Sequence, residues 1–275
     1  MSDAMRHPPI GHLLREWRGL RRLSQLDLAL ESGISTRHLS YIETGKAQAG
    51  RGVLARIADV LAMPLRERNA LMVAAGYAPH YAETAFDAPA LDMMRRAVGL
   101  IVAHQEPYPA FVLDRYWNVL QVNDGAIRVN DLVMSGRRSP HGNILHQVFD
   151  PADIRAFIVN WEEVAEKFIR HLHQEIAASP GDGRGQALLE DILRYPGVPK
   201  DWLHRDALGA PSPILTMTFR SSRGELSFFE TITTFSTPRN VTLDEMRIDC
   251  AFPADDHTAA VCAALAAEAR ATNGH

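Results

Sequence analysis

Residues 24–46 read SQLDLALESGISTRHLSYIETGK, and this stretch decides the fold of the N-terminal part of the chain. Ser24 is a favourable helix N-cap, and Asp27 three residues later can complete a capping box. Gly33 ends this short helix, and Ser35 is positioned to cap the next one. The stretch therefore predicts two short helices joined by a tight turn.

The second of these helices, expected over residues 36–44, separates a polar face from an apolar one. At about 100° per residue, Leu39 and Ile42 point away from the polar side. The polar arc carries hydroxyls, a guanidinium and a phenol, from Thr36, Arg37, Ser40 and Tyr41. In the preceding helix we expect the buried face to consist of Leu26, Ala29 and Leu30. Two helices around a glycine turn are the helix-turn-helix arrangement, whose second helix enters the DNA major groove.

Three more helices are expected around this pair. Residues 10–17 place apolar side chains at helical spacing, and residues 53–61 repeat that pattern. Pro64 can open a further helix that ends at Gly76. The N-terminal region is therefore predicted to be all-α, with five short helices.

The quoted stretch closely resembles the Cro/repressor (XRE) type of helix-turn-helix. The match includes the Ser-Gln opening, Ala29, Gly33 and the Ile-Glu-x-Gly-Lys ending. The resemblance implies that DNA is bound by Gln25, Ser35, Thr36, Arg37, Ser40, Tyr41 and Lys46. It also implies a buried ion pair between Arg18 and Glu43. Arg is suited to bidentate contact with guanine, and Lys to phosphate. The alternatives are a merely solvated helix face or a protein-interaction module.

The C-terminal region alternates between strand and helix patterns. A hairpin is expected over residues 108–123, with its turn at Asp114–Arg115. Helical patterns then continue to about Arg194, and a loop at residues 179–185 interrupts them. Three alternating segments follow, near residues 215–219, 226–232 and 246–252. The expectation is an α+β layer fold in which a five-stranded antiparallel sheet, split two and three by a helical insert, carries helices on one side.

This region resembles the MmyB-like ligand-binding domain found behind such helix-turn-helix heads in bacterial regulators. The resemblance rests on AAGYAP (74–79), EPYPAFVLDRYWNVLQVN (106–123), IVNWEEVA (158–165) and TTFSTPRNVTLDEMRIDCAFPADDHT (233–258). It implies a PAS-like fold that binds a small apolar molecule, with fatty-acid-like compounds as leading candidates. Asn240 stands where the family commonly has Asp.

Aromatic and methionine side chains are the candidates for a pocket wall. They are Phe111, Trp117, Trp161, Phe168, Met217, Phe219 and Phe228. Asn123 is either a polar anchor in the pocket or a helix N-cap. The competing interpretation is that most of these residues form a packed core and that the region serves only for dimerisation or interaction.

Composition limits the class of protein. The 275 residues are 46% hydrophobic and 23% charged, which is typical of globular chains. Two cysteines, no apolar signal segment and no long apolar run predict a cytoplasmic protein without disulfides. Residues 1–80 hold 11 basic and 7 acidic residues, a net charge of +4, whereas the remainder holds 18 and 26, a net charge of −8. A basic head favours a polyanionic partner.

No catalytic or metal-binding pattern is found. His171 and His173 point to different sides of a helix, and Gly-x-Ser-x-Gly and Walker loops are absent. We expect no cofactor and no enzyme activity, with an enzyme carrying a protein-recruiting head as the less favoured alternative. The expected organisation is a DNA-binding domain at 8–77, a linker at 78–90 and a ligand-binding domain at 91–270, acting as a homodimer on an operator. The effector, the operator and the sign of regulation stay open.

Overall fold

The computed structural model describes residues 10–179, 182–198 and 214–273, so residues 8–9 of the expected DNA-binding domain lie outside the described residues. Its contacts divide the chain into two compact units. Among the described residues, the first unit comprises 10–84, 178–179 and 237–244, and the second comprises 85–177, 182–198, 214–236 and 245–273.

The first unit contains the five predicted helices, which are confirmed. They are α1 (Ile10–Leu20), α2 (Gln25–Glu31), α3 (Thr36–Glu43), α4 (Arg51–Val60) and α5 (Leu65–Ala74). Ser24 and Asp27 form the expected capping box, and the Ser35 hydroxyl accepts a hydrogen bond from the His38 backbone N–H. Gly33 adopts φ 65°, a left-handed conformation that glycine tolerates best. Trp17, Leu39 and Ile42 are fully buried in the core that the helices share.

The buried face of α2 differs from the predicted one. Leu28 and Ala29 are buried, whereas Leu26 and Leu30 are 62% and 78% exposed. The expectation for Leu26 and Leu30 was therefore wrong. In a helix of seven residues, several apolar rows fit the helical spacing, and the packing of α2 on α3 and α4 selects the row that contains Leu28.

A segment far along the chain completes the first unit. Residues 237–244 include the short helix α11 (Val241–Asp244), which contacts α5. The Asp244 carboxylate accepts a hydrogen bond from the Leu65 backbone N–H at 3.1 Å, at the start of a helix that has no side-chain cap of its own. Asn240 donates from its amide to the Thr84 hydroxyl at 2.9 Å. An aspartate at position 240 would have no N–H for this bond.

The second unit contains the predicted five-stranded antiparallel sheet, which is confirmed. Its strands are β1 (Ala110–Leu113), β2 (Val119–Val122), β3 (Thr216–Ser221), β4 (Gly224–Thr233) and β5 (Arg247–Pro253), in the order β2-β1-β5-β4-β3. The helices are α6 (Asp92–His104), α7 (Asp124–Val133), α8 (Ile144–Phe149), α9 (Trp161–Ala178), α10 (Gly183–Leu193) and α12 (Asp256–Asn273), with 3-10 turns at Pro89–Leu91 and Ile154–Phe157. Helices α7 to α10 form the helical insert between β2 and β3.

The hairpin turn is longer than the predicted Asp114–Arg115. Strand β1 ends at Leu113 and β2 begins at Val119, so five residues connect them. The Asp114 carboxylate accepts hydrogen bonds from the backbone N–H groups of Tyr116 and Asn118. Trp117 takes a positive φ of 66° in this connection. Side-chain bonding to the turn backbone therefore replaces the expected two-residue loop.

Strand β5 is buried on both faces, which corrects the expectation of helices on one side only. Ala251 packs with residues of α7 and α12 on one face. On the other face Ile248 and Cys250 are also buried, next to Val112 and Ala110 of β1, and α6 contacts both strands. The two faces of β5 are covered by different helices, because α6 and α12 both contact this strand and Ala251 packs in a cluster with residues of α7 and α12.

Candidate DNA-binding surface and ligand cavity

The polar face of α3 is open on the first unit. Arg37 and Tyr41 are exposed, and Thr36 and Ser40 are half-buried. The Arg37 guanidinium lies 5.3 Å from the centroid of the Tyr41 ring, and its Nε donates to the Tyr41 hydroxyl at 3.1 Å. This contact orients the guanidinium along the helix. Ser35 and Lys46 are exposed at the two ends of the helix.

The inner side of α3 is anchored by Glu43, which is only 3% exposed. Arg18 donates from Nε to Glu43 Oε1 at 3.0 Å, and Gln25 donates from Nε2 to Oε2 at 2.7 Å. The carboxylate thus ties α1 and the start of α2 to the end of α3. One amide hydrogen of Gln25 is thus used on Glu43, which leaves its other amide hydrogen for a different partner.

The second unit contains a mainly apolar, partly open cavity of about 90 Å³. Six of the predicted wall residues border it, and they come from β1, the hairpin turn, α9, β3 and β4. They are Phe111, Trp117, Phe168, Met217, Phe219 and Phe228. The structure therefore brings together side chains that are up to 117 residues apart in the sequence.

Trp161 and Asn123 are placed away from the described wall of this cavity, which corrects their assignment to the pocket. The Trp161 indole N–H donates to the Val148 carbonyl, and the Arg155 guanidinium lies 3.5 Å from the centroid of its ring. Asn123 is the N-cap of α7 and accepts from the Ala126 backbone N–H at 2.9 Å. Its side-chain amide also donates to the Tyr108 carbonyl, so both ends of the Asn123 amide are already hydrogen-bonded to backbone groups.

One face of α7 also forms part of the cavity wall. The sequence prediction missed it because it considered mainly aromatic residues and methionine. The members of this face are Ala126, Val129, Asn130 and Val133. They follow the i, i+3, i+4, i+7 spacing of one helix face, so the sequence held a signal for them. Further aliphatic wall residues missed in the same way are Leu113, Ile144, Val148 and Ile154.

Two carboxyl groups, on Glu230 of β4 and Asp249 of β5, also border the cavity and were not predicted. Glu230 is an exposed residue by its accessible surface, but its carboxyl lies among protein atoms, and this local desolvation raises its pKa to about 7. The neighbouring Asp249 raises the pKa further, against Arg247 and Lys167. Burial likewise raises the pKa of Asp249 to about 6, opposed by Arg247 and His171. The alternation of β5 placed Asp249 on the polar side of the strand, so no sequence pattern pointed to it as a cavity residue.

Arg247, two residues before Asp249 on β5, belongs to a polar cluster next to Glu230 and Asp249. Its guanidinium stacks 3.4 Å from the centroid of the Trp117 ring and donates to Glu175 Oε1 at 2.8 Å. The Trp117 indole N–H donates to the second oxygen of the same carboxylate at 3.1 Å. Burial opposes ionisation of Glu175, but its bonds to His171, Arg247 and Trp117 prevail and lower its pKa.

Within the described residues, no group of three or more metal-ligating side chains occurs. In the same part of the chain, every helix is too short or too polar to span a bilayer.

A helix-turn-helix with an open polar face in one unit and an apolar cavity in the other are the features of a DNA-binding domain joined to a ligand-binding domain. Comparison with family models agrees with both parts. Residues 94–265 match the MmyB-like transcription regulator ligand binding domain, and residues 9–71 match a helix-turn-helix domain. The chain belongs to the MmyB-like family, and its two domains are those of a transcriptional regulator. No curated protein matches the chain.

Proposed function

We propose that the chain is a bacterial, cytoplasmic, sequence-specific transcriptional regulator without a catalytic step of its own, whose DNA binding is controlled by a small apolar ligand. The observation that carries this proposal is the presence of an apolar cavity in a domain of the MmyB-like family, in the same chain as an open recognition helix. The working division is DNA binding by residues 8–77, a linker at 78–90 and ligand binding by 91–270.

The DNA contacts are proposed on α3 and its flanks. Arg37 reads a base edge, with Thr36, Ser40 and Tyr41 beside it, because these side chains share the open face of the helix. Ser35, Lys46 and the free amide hydrogen of Gln25 bind phosphates, since they lie at the ends of the helical pair. One helix-turn-helix covers a short half-site, so the protein acts as a homodimer on two half-sites about one helical turn apart.

The ligand is proposed to occupy the cavity beside Trp117 and Phe228, with an aliphatic, fatty-acid-like body against the apolar wall. A cavity of about 150 Å³ lined by apolar side chains binds benzene in another protein. The smaller cavity of about 90 Å³ therefore fits a short chain, or a longer one if the wall moves. The ligand regulates only if it binds the DNA-competent and DNA-incompetent arrangements with different affinity.

The DNA part is tested with Arg37→Ala in a mobility-shift assay on a selected operator. We expect a loss of about 10- to 100-fold in specific affinity, as for a bidentate base contact. Arg96→Ala is the matched control, because Arg96 is exposed on α6 of the other unit. Unchanged specific binding by Arg37→Ala would show that α3 is not the recognition helix.

The ligand part is tested by native mass spectrometry of the purified full chain, followed by extraction of any co-purified compound. A bound apolar compound that is lost when Ala126→Phe fills the cavity supports the sensor function, because Ala126 borders the cavity. A second candidate function is a C-terminal domain used only for dimerisation. It is favoured by the small volume of the cavity, and it predicts a dimer that takes up no apolar compound.

A further inference from the structure

Glu230 and Asp249 stand at one part of the cavity wall, on adjacent strands. Glu230 is paired in register with Ala251, and Asp249 is two residues before Ala251 on β5. All three residues border the cavity. Residues in this diagonal relation on one sheet face are close enough for long side chains to share a partner. Ala251 contributes only a methyl group to this part of the wall.

Asp249 holds a hydrogen-bonding atom that the described residues leave unsatisfied. The residue is 5% exposed, and its Oδ1 has no hydrogen-bond partner among the described residues. The Arg247 Nε lies 3.8 Å from this oxygen, which is beyond hydrogen-bond distance. A buried acceptor without a partner is costly, so its presence on a cavity wall points to a bound donor.

We infer that the ligand of this cavity has an apolar body and a polar end that donates hydrogen bonds to Glu230 and Asp249, with a primary ammonium as the best-matched group. This inference rests on the proposed ligand-binding function and specifies its chemistry. A carboxylate end, as in a fatty acid, meets two carboxyl groups at this part of the wall and is disfavoured.

Arg247 is the group that would favour the opposite choice, a carboxylate. Its Nε and Nη2 have no hydrogen-bond partner among the described residues. However, Arg247 is not among the described residues that border the cavity, whereas Asp249 is. Its charge is also already matched by Glu175 at 2.8 Å. Among the described residues, the two carboxyls border the cavity directly, and the guanidinium is held by Glu175 and the Trp117 ring.

The ionisation of the carboxyls supplies an independent readout. The charged and titratable groups around them are Arg247, Lys167, His171 and Glu175. Near neutral pH the raised pKa values leave Glu230, and to a lesser extent Asp249, partly protonated in the empty cavity. An ammonium bound between them favours the ionised forms, so its binding releases protons. Binding of an uncharged alcohol releases few.

The test is isothermal titration calorimetry of the full chain with octylamine, octanol and octanoate, which share one apolar body. We expect octylamine to bind at least about tenfold more tightly than octanoate, since a charge-assisted hydrogen bond is worth that factor or more. Octanol should lie between them. At neutral pH, the heat of octylamine binding should depend on the ionisation enthalpy of the buffer, because protons are released.

Glu230→Gln and Asp249→Asn keep the shape of each side chain and remove its charge. We expect each to lower octylamine affinity about tenfold and to change octanol affinity less than about threefold. Glu225→Gln is the matched control, because it makes the same substitution on β4 at an exposed residue that does not border the cavity in the described structure. It should bind all three compounds like the parent chain.

The outcomes separate this inference from the proposed function. If octanoate binds as tightly as octylamine or more tightly, the polar-end inference is overturned while the ligand-binding function stands. If none of the three compounds binds, both are overturned for ligands of this kind. If Glu230→Gln lowers the affinity for octanol as much as the affinity for octylamine, the carboxyl affects binding only by maintaining the structure of the cavity. The inference then fails.

Discussion

The backbone carbonyl oxygen of Glu43 occupies the space that a Cβ atom on Gly11 would need. Gly11 is in the first turn of α1 and Glu43 is the last residue of α3, so the absence of a side chain lets these two helices meet at backbone distance. The same Glu43 uses its side chain to bind Arg18 of α1. Gly11 and the Glu43 carboxylate therefore hold the C-terminal end of α3 against α1.

Gly11→Ala should destabilise the first unit, because the new methyl group forces α1 and α3 apart. Overpacking against backbone costs about 1–3 kcal/mol, which exceeds the 0.5–1 kcal/mol that alanine gains in a helix. Hydrogen exchange of α1 and α3 amides, read by mass spectrometry, measures the change. Gly19→Ala in the same helix is the control: no atom lies within 4 Å of its Cβ, so it should be neutral or stabilising.

Arg18→Ala should destabilise the first unit by about 3 kcal/mol, since it leaves the buried Glu43 carboxylate without its cation. The comparison is a double-mutant cycle with Glu43→Gln, measured by urea unfolding of the full chain. We expect the double variant to lose clearly less stability than the sum of the two single variants. Additive losses would mean that the 3.0 Å contact contributes no coupling.

Lys46→Ala should weaken binding to all DNA sequences by a similar factor, because a phosphate contact carries no base information. The slope of log affinity against log salt should fall by about 0.9 for one lost phosphate contact. The measurement is fluorescence anisotropy with an operator and a scrambled duplex over a salt series. A loss confined to the operator would instead place Lys46 at a base, and Arg96→Ala should leave both slopes unchanged.

The contribution of Glu230 to the stability of the second unit should fall as pH rises from 4.5 to about 7. Over this range folded Glu230, with a pKa of about 7, holds a proton that an unfolded glutamate with a pKa of 4.5 has released. The folded state then binds more protons than the unfolded one, and stability decreases with pH. Asp249 acts in the same direction between 3.8 and about 6.

Glu230→Gln removes the Glu230 contribution and should make this decline shallower. Thermal melts of the full chain across the range, beside Glu225→Gln, provide the measurement. Equal slopes in the parent chain and in Glu230→Gln would contradict the raised pKa of this carboxyl, because Asp249 and the distant groups are common to both proteins.

Asp244→Ala should destabilise the start of α5 by about 1 kcal/mol, which is typical of a lost helix cap. The carboxylate accepts from the Leu65 N–H although it lies 179 residues further along the chain. Hydrogen exchange at the first turn of α5 should rise in this variant. Asp87→Ala, at an exposed residue outside any helix or strand, is the control and should leave α5 protection unchanged.

The helices of the first unit were predictable because their signals are local. Ser24 with Asp27, Ser35, and the left-handed Gly33 and Gly45 act within a few residues, so the sequence sets where α2 and α3 begin and end. The five strands were predictable for the same reason, since the alternation of apolar and polar residues in each strand is a local sequence pattern.

Contacts between residues distant in the sequence decided which helix and strand faces are buried. They also decided which residues pack against each other. Helical spacing allowed Leu26 and Leu30 to be buried, but packing on α3 and α4 selected Leu28. Alternation in β5 indicated one apolar face, yet helix packing buries the face with Asp249 as well. Pairing with β4 places that carboxyl in a diagonal relation to Glu230. No local sequence pattern indicates that Asp244 caps α5. Long-range packing free energy makes these choices, because it acts between residues whose separation in sequence is arbitrary.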